Sequence, residues 1–320
     1  MITVALVHYE TPELAAACVA SVRRFPPAER YEVVVVDNAS SRSARIALGQ
    51  LRGVRVIDSG RNGGFAFGVN CCFEEADASS DVIVVMNPDT EVRDEASIDR
   101  LVFGARAAGT SLAAPSLLNR EGKRERSFHR RVPSLALVPV LVSAPVGLLA
   151  DRIARAFNRH PSELSEAEIR KGASPAHVMG AVMAISRRAW RTVGPFDERF
   201  FLYLEETDWQ VRAASHGLTV KAVLDAEFMH LHRGGALEGA VPSSAYLESL
   251  RKFLVASGSH PKAVDALIEL SLLSSIFAFS LFRAVVCVAF RDRRPLAVAG
   301  LSSASTALKS RRRARGRAAL

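Results

Sequence analysis

The sequence predicts an α/β fold: a mostly parallel, Rossmann-like sheet flanked by helices, with a helical extension at the C-terminal end. Short β-branched runs alternate with helical patterns through the first hundred residues, the rhythm of strands joined by crossover helices. Polar clusters stand directly after three of those runs, where a parallel sheet presents its ligand-binding edge. A last stretch, residues 267–290, is apolar nearly all round.

The elements follow in order. Residues 2–7 form the first run; His8 and Glu10 make it too short and too polar to span a bilayer, and no basic leader precedes it. Pro12 opens the first helical pattern, a position where its missing N–H costs nothing. Runs at 32–36 and 54–57 follow, with helical patterns beginning near Ser43 and Val69, and Val82–Met86 is the fourth run. These runs are continuously apolar rather than alternating, as expected of strands buried on both faces. Three blocks result: 1–110, a less regular 111–240, and a mostly helical 241–320.

A chain of 320 residues holds one large domain or two modest ones with ample core. Its 49% hydrophobic content against only 7% aromatic fits a globular α/β protein with extra apolar surface. Cys18, Cys71, Cys72 and Cys287 lack metal-ligand spacing and are expected as reduced thiols. The net charge of +9 is concentrated in Lys309, Arg311, Arg312, Arg313, Arg315 and Arg317. No aromatic-rich signature accompanies that tail, so nucleic acid is not the expected partner; an anionic membrane surface is.

Two apolar segments bear on the membrane. Residues 135–150 are broken by Pro139, Ser143 and Pro145, and read either as a buried loop or as an interfacial, re-entrant segment. Residues 267–290 carry only Glu269 and Arg283 and run into Arg291-Asp292-Arg293-Arg294, the pattern of an interfacial helix. A buried subdomain helix or a homo-oligomer interface is the other reading.

Several clusters carry chemistry. Phe200-Phe201-Leu202-Tyr203-Leu204-Glu205-Glu206-Thr207-Asp208-Trp209 sets three carboxylates within four positions, which need a cation, a proton or a task. Thr207 and Gln210 also fit a capping box that would start a helix there. Asp37 ends the second run in Asp37-Asn38-Ala39-Ser40, where a carboxylate can accept a uracil or thymine imide N–H or serve a turn. Arg61-Asn62-Gly63-Gly64 lets backbone approach an anion ahead of a helix, yet it matches neither a P-loop nor a dinucleotide fingerprint. Asn87-Pro88-Asp89 offers one carboxylate on a rigid turn, suited to a hard divalent cation. His230 and His232, two apart, lie on one strand face and either can add an imidazole.

The ordered set resembles the family 2 glycosyltransferases of the GT-A fold, nearest to a bacterial rhamnosyltransferase-like branch. It comprises Val7-His8-Tyr9-Glu10-Thr11-Pro12, Val36-Asp37-Asn38-Ala39-Ser40, Asn62-Gly63-Gly64-Phe65-Ala66-Phe67-Gly68-Val69-Asn70, Met86-Asn87-Pro88-Asp89, Gly180-Ala181-Val182, Val193-Gly194-Pro195-Phe196-Asp197 and Glu205-Glu206-Thr207-Asp208-Trp209, spanning about residues 2–236. The resemblance implies an inverting, single-displacement sugar transfer dependent on Mg²⁺ or Mn²⁺. The donor would be dTDP-rhamnose or a UDP-sugar, and the acceptor a polyprenyl-diphosphate-linked glycan or polysaccharide. The site would be peripheral, at the cytoplasmic face of the inner membrane. Asp37 would contact the base, and Asn62, Gly63 and Gly64 would lie along the diphosphate. Tyr9, Glu10, Asn70, Asn87 and Gly180 complete the implied nucleotide-sugar set. Asp89 would bind the metal with His230 or His232. Glu206 occupies the position of the family's catalytic base, usually Asp, which leaves Glu205 and Asp208 as alternatives. A catalytically silent relative acting as a membrane-bound assembly partner is the second reading, resting on that Asp-to-Glu departure. Phe67 stands where the family often has a small residue.

Overall fold

The computed structural model describes residues 1–125, 127–143, 145–146, 149, 163–231, 242–289, 302 and 304–310. The chain forms two compact units, Met1–Val132 with Ser162–Arg233, and Pro133–Pro161 with Gly234–Leu320.

In the first unit the chain runs β1 (Ile2–His8), α1 (Pro12–Arg24), β2 (Tyr31–Asp37), α2 (Arg42–Leu48), β3 (Arg55–Asp58), α3 (Gly64–Glu75) and β4 (Val82–Met86). It continues through β5 (Thr90–Val92), α4 (Ser97–Arg106), β6 (Thr110–Leu118) and β7 (Phe128–His129). In the second unit come a short 3₁₀ turn, Leu135–Leu137, and α5 (Val138–Val142). The first unit resumes with α6 (Glu166–Arg170), β8 (His177–Val178), β9 (Val182–Ser186), α7 (Arg187–Val193), α8 (Glu205–Ser215) and β10 (Thr219–His230). Helices α9 (Ser244–Ala256) and α10 (Pro261–Ala289) belong to the second unit.

Eight strands form one sheet in the order β3-β2-β1-β4-β9-β6-β10-β5, with β7 and β8 paired separately. Strands β3, β2, β1 and β4 are mutually parallel, as are β6 and β10, while β9 and β5 run antiparallel to their neighbours. Adjacent residues of one strand feed opposite faces. Val4 and Leu6 pack with α1 and α4 residues such as Val19, Leu101 and Ala105, whereas Ala5 and Val7 pack with α3 and α8 residues such as Val69, Phe73 and Trp209. Both faces being covered accounts for the unbroken apolar runs.

The structure moves one helix. The pattern places the third start near Val69, but α3 begins at Gly64. Gly64, Ala66, Gly68, Val69, Cys72 and Phe73 are buried, so packing on the sheet carries the helix through residues whose own propensity is poor. The capping-box reading of Thr207 and Gln210 is corrected as well. Helix α8 starts three residues earlier, after Leu204, and Thr207 and Gln210 are buried within it. Gln210 instead clamps β8, donating to the Val178 carbonyl at 3.0 Å and accepting from its N–H at 2.8 Å.

In the second unit the two apolar segments meet. Helix α5 packs against α10, and Ser143 Oγ lies 2.7 Å from Ser274 Oγ. Residues Pro261–Leu281 are long and apolar enough to cross a membrane, with a mean hydropathy of 1.7. Leu270, Leu273, Phe277 and Leu281, spaced three or four apart, form an exposed stripe along α10.

Candidate active site

The site lies at the carboxyl ends of β1, β2 and β4 and at the start of α8. After β1 and β2, a buried hydrogen-bond cluster is built around Asp37, which is 1% exposed. Its Oδ1 takes His8 Nδ1 at 2.9 Å and the Ser40 hydroxyl at 2.5 Å, and its Oδ2 takes the Ser40 N–H at 3.2 Å. His8 Nε2 accepts from the Thr11 N–H at 3.0 Å, so the imidazole donates from Nδ1. The Glu10 carboxylate bridges to Ser41 through its N–H and hydroxyl. Tyr9 stands half exposed at the rim.

The third loop is short and tied down. Asn62 Oδ1 accepts from the Gly64 N–H at 3.1 Å, and Asn38 Nδ2 donates to the Gly64 carbonyl at 2.9 Å. The Phe65 N–H donates to the carbonyl of Phe201, 2.8 Å away, on the segment leading to the acids. Asn70 stands apart from an open ligand face. Its amide is spent on both backbone groups of Phe196 and on Glu198, each at 2.9–3.0 Å.

Helix α8 is anchored from below by Trp209, which is fully buried, stacks near Trp190 and Phe196, and donates its indole N–H to the Gly194 carbonyl at 2.8 Å. Above it, the acids occupy different environments. Glu205 is 3% exposed, and its Oε2 meets no hydrogen-bond partner among the described residues. Glu206 is partly buried and accepts from the Thr207 hydroxyl at 3.3 Å. Asp208 is paired with Arg212 Nε at 2.9 Å, and Arg212 also holds the Val193 and Pro195 carbonyls. Burial, together with the charge of Glu206, pushes the Glu205 carboxyl well above its ordinary range. Burial likewise pushes Glu206 up, to about 7, against the backbone N–H groups that favour its ionised form. Such a poise suits a group that must accept a proton near neutrality.

That pair also makes stability depend on pH. Both carboxyls are raised above the free value of 4.5, so the pair's contribution is fully present below about pH 4.5 and declines as pH rises, the Glu206 part being lost through about 7. Glu205→Gln, which mimics the protonated acid, should therefore gain thermal stability relative to wild type between pH 5 and pH 8. A difference in melting temperature that stays constant across that range would contradict the assignment.

Gly180 joins the acid helix to the strand ends. A Cβ on Gly180 would stand 3.1 Å from Glu206 Cγ, so the glycine leaves room for the acid. Its neighbour Ala181 accepts the Asn87 N–H at 2.8 Å, which brings the Asn87-Pro88-Asp89 turn beside Glu206. Across that turn, Asp89 Oδ2 lies 3.5 Å from His230 Nε2, and Glu125 Oε2 lies 3.0 Å from His230 Nδ1. Burial pulls His230 down, but its hydrogen bonds to Asp89 and Glu125 outweigh that and hold it at about 9. Asn87 Oδ1 is buried without a hydrogen-bond partner among the described residues.

This donor set fits a divalent cation. A hard carboxylate oxygen and an imidazole nitrogen converge, and a second carboxylate orients the imidazole from behind, the usual outer-shell arrangement of a histidine ligand. Among the described residues no group of three or more His, Cys, Asp or Glu side chains is set to hold an ion, so phosphate oxygens and water would have to supply the rest of the shell. His232 lies outside the described residues.

The structure thus brings Asn87, Asp89, Gly180, Glu206 and His230 together, with Asp37 and the Asn62-Gly63-Gly64 turn along the same sheet edge. Sequence reasoning missed Glu125, which enters through tertiary contact, and it named His8 and Asn38 in the strand-end clusters without giving either a role. Backbone strain marks the same places. Among the described residues the non-glycine positions with positive φ are Glu10, Ala39, Tyr203 and Leu204, every one in a site loop.

The family and the fold have known relatives. The model of Glycosyl transferase family 2 matches residues 3–188. The low-salt glycan biosynthesis hexosyltransferase Agl10 of Haloferax volcanii is 27% identical over 239 residues, which cover 73% of this chain and 70% of that protein. The N-acetylglucosaminyl-diphospho-decaprenol L-rhamnosyltransferase of Mycobacterium tuberculosis is 28% identical over 211 residues, covering 62% of this chain and 66% of that protein, just under two thirds. The fold is matched by GalNAc-T7 bound to UDP, GalNAc and Mn²⁺, with a TM-score of 0.57 at 15% identity over 79% of this chain and 47% of that one. It is matched also by the mannosyltransferase PcManGT of Pyrobaculum calidifontis with GDP-Man and Mn²⁺, with a TM-score of 0.53 at 14% identity over 96% of this chain and 86% of that one. The sheet is accordingly of the GT-A kind, and with a family model spanning more than half of its length the chain belongs to glycosyl transferase family 2.

Proposed function

We propose that the chain is an inverting, divalent-cation-dependent glycosyltransferase that adds a sugar to a lipid-linked or cell-envelope glycan. The first choice of donor is dTDP-rhamnose, followed by UDP-sugars. The observation that carries this reading is the juxtaposition, through Gly180 and Ala181, of the Asn87-Pro88-Asp89 turn with a Glu206 carboxyl poised near neutrality. The relative named as a decaprenol-linked rhamnosyltransferase supports the choice of sugar and of a polyprenyl-diphosphate acceptor.

In this mechanism Glu206 takes the proton of the acceptor hydroxyl as its oxygen attacks the anomeric carbon and the bond to the nucleoside diphosphate breaks. A cation held by Asp89 and His230 would supply positive charge against the departing diphosphate. Asp37 and the Asn62-Gly63-Gly64 turn hold the nucleotide side, and burial disfavours the charged form of Glu205, whose carboxyl is pushed well above its ordinary range beside Glu206. The test is transfer from a panel of nucleotide sugars to a polyprenyl-diphosphate-linked glycan, with Mg²⁺, with Mn²⁺ and with chelator. Metal-dependent transfer or donor hydrolysis is expected. Absence of both with every donor would favour the silent assembly partner.

The second unit gives the enzyme its place at the cytoplasmic membrane face. The α10 stripe of Leu270, Leu273, Phe277 and Leu281 offers apolar surface, and Arg291, Arg293 and Arg294 follow it in sequence, which matches an anionic bilayer. Replacing Leu270, Phe277 and Leu281 together by Ser removes about 1.5–3 kcal/mol of burial each. Binding to anionic vesicles should then fall at least about 100-fold with the fold intact, because these side chains are already exposed. Unchanged vesicle binding would contradict this placement.

A further inference from the structure

The turn that delivers the acids is strained, and the strain is held from the donor side. Tyr203 and Leu204 adopt left-handed backbone conformations in succession, with φ of 71° and 66°. Each is disfavoured for a residue bearing a Cβ, which comes too close to the following carbonyl oxygen. Leu204 is the residue immediately before Glu205 and caps α8 without a side-chain hydrogen bond. Such a turn persists only where its surroundings over-determine it.

Those surroundings come from the third loop and α3. Gly64 lies so close to the acid-bearing segment that a Cβ there would stand 2.1 Å from the Phe201 carbonyl oxygen and 2.8 Å from Phe201 Cα, backbone atoms that cannot swing aside. The Phe65 N–H holds that same carbonyl at 2.8 Å. Gly64 is fixed in turn by Asn62 Oδ1 on its N–H and Asn38 Nδ2 on its carbonyl. At the outer end of the contact, Arg61 pairs with Glu198 at 3.1 Å, and Asn70 grips Phe196 and Glu198. Residues 61–70 therefore clasp residues 196–201 along their length, directly upstream of the strained turn.

We propose that the Gly64–Phe201 backbone contact is a positioning latch that holds the Tyr203-Leu204 turn in its strained form and so sets Glu206 against the donor. Gly64 is a positioning residue in this account, acting through Glu206, and the proposal rests on the reading of Glu206 as the base. The latch also ties the loop assigned to the donor diphosphate to the helix bearing the base, so that a displaced donor loop displaces the base with it.

The test is a double-mutant cycle between Gly64→Ala and Glu206→Gln, read as turnover, with nucleoside-diphosphate affinity measured alongside. A misplacement of about 1 Å at a reacting group costs on the order of 10²-fold. Gly64→Ala should lower kcat by about 10²-fold in the wild-type background and by less than about threefold in Glu206→Gln, because the group it positions is already gone. Equal losses in the two backgrounds would overturn the latch. Glu206→Gln with wild-type turnover would instead overturn the base assignment, a distinct failure read from the single variant. If Gly64→Ala does not fold, Glu198→Ala loosens the exposed end of the same contact and enters the same cycle, with an expected loss of roughly 3–10-fold confined to the Glu206 background. Equal loss in both backgrounds overturns the proposal there too, as does a change in donor affinity with kcat unaltered.

Discussion

Glu206→Gln should lower turnover by roughly 10²–10⁴-fold, the range for loss of a general base, while nucleoside-diphosphate affinity stays near wild type. The substitution keeps size and shape, and the amide cannot accept the acceptor's proton. In the proposed mechanism the environments of the neighbouring acids favour Glu206 for this role. Asp208 is occupied by Arg212, and Glu205 is buried to 3% exposure, which raises its carboxyl well above the ordinary range. Gly180 keeps a clear space beside Glu206, so Gly180→Ala should damage kcat in the same direction. Near-normal turnover in Glu206→Gln, with collapse in Asp208→Asn, would transfer the role to Asp208.

Asp89→Ala should abolish the metal-dependent part of donor binding. Asp89 is the carboxylate of the strand-end turn, and the remaining partner, His230, stays oriented by Glu125. Losing even an outer-shell partner of a metal ligand costs 10–100-fold, so loss of a direct ligand should cost at least about 100-fold. The reading is the thermal shift produced by UDP or dTDP with Mn²⁺, against the same nucleotide with chelator. Ligand at 100 times its dissociation constant stabilises by about 2.7 kcal/mol, so wild type should shift clearly and the variant should not. A full Mn²⁺-dependent shift in Asp89→Ala would remove Asp89 from the metal site.

The sheet was legible because β1, β2 and β4 are buried on both faces and write that fact into unbroken runs of Val and Ile. Helix α3 was misplaced at its start, since Gly63 and Gly64 carry no helical signal and the helix there is held by packing and by the Phe201 carbonyl. The strand-end carboxylates Asp37 and Asp89 were legible by position alone. Glu125 was not, because it reaches His230 across 105 residues of sequence, and no local spacing encodes that contact. The capping-box pattern at Thr207 was a true match to the wrong physics. The helix had already begun, and Gln210 serves β8 rather than the helix end. Rules that describe local chemistry thus found the elements and the edge of the site. The pairing of acids with metal-side groups depended on which loops the sheet brings together.

A single displacement assisted by Glu206 is the central step of the proposed mechanism, and the stereochemistry of one turnover tests it. The anomeric configuration of the transferred sugar can be read by NMR on product made from a donor of known configuration. Inversion relative to the donor is the predicted result. Retention would require either two displacements or front-face attack, and would contradict the assignment of Glu206 as a base acting on the acceptor hydroxyl.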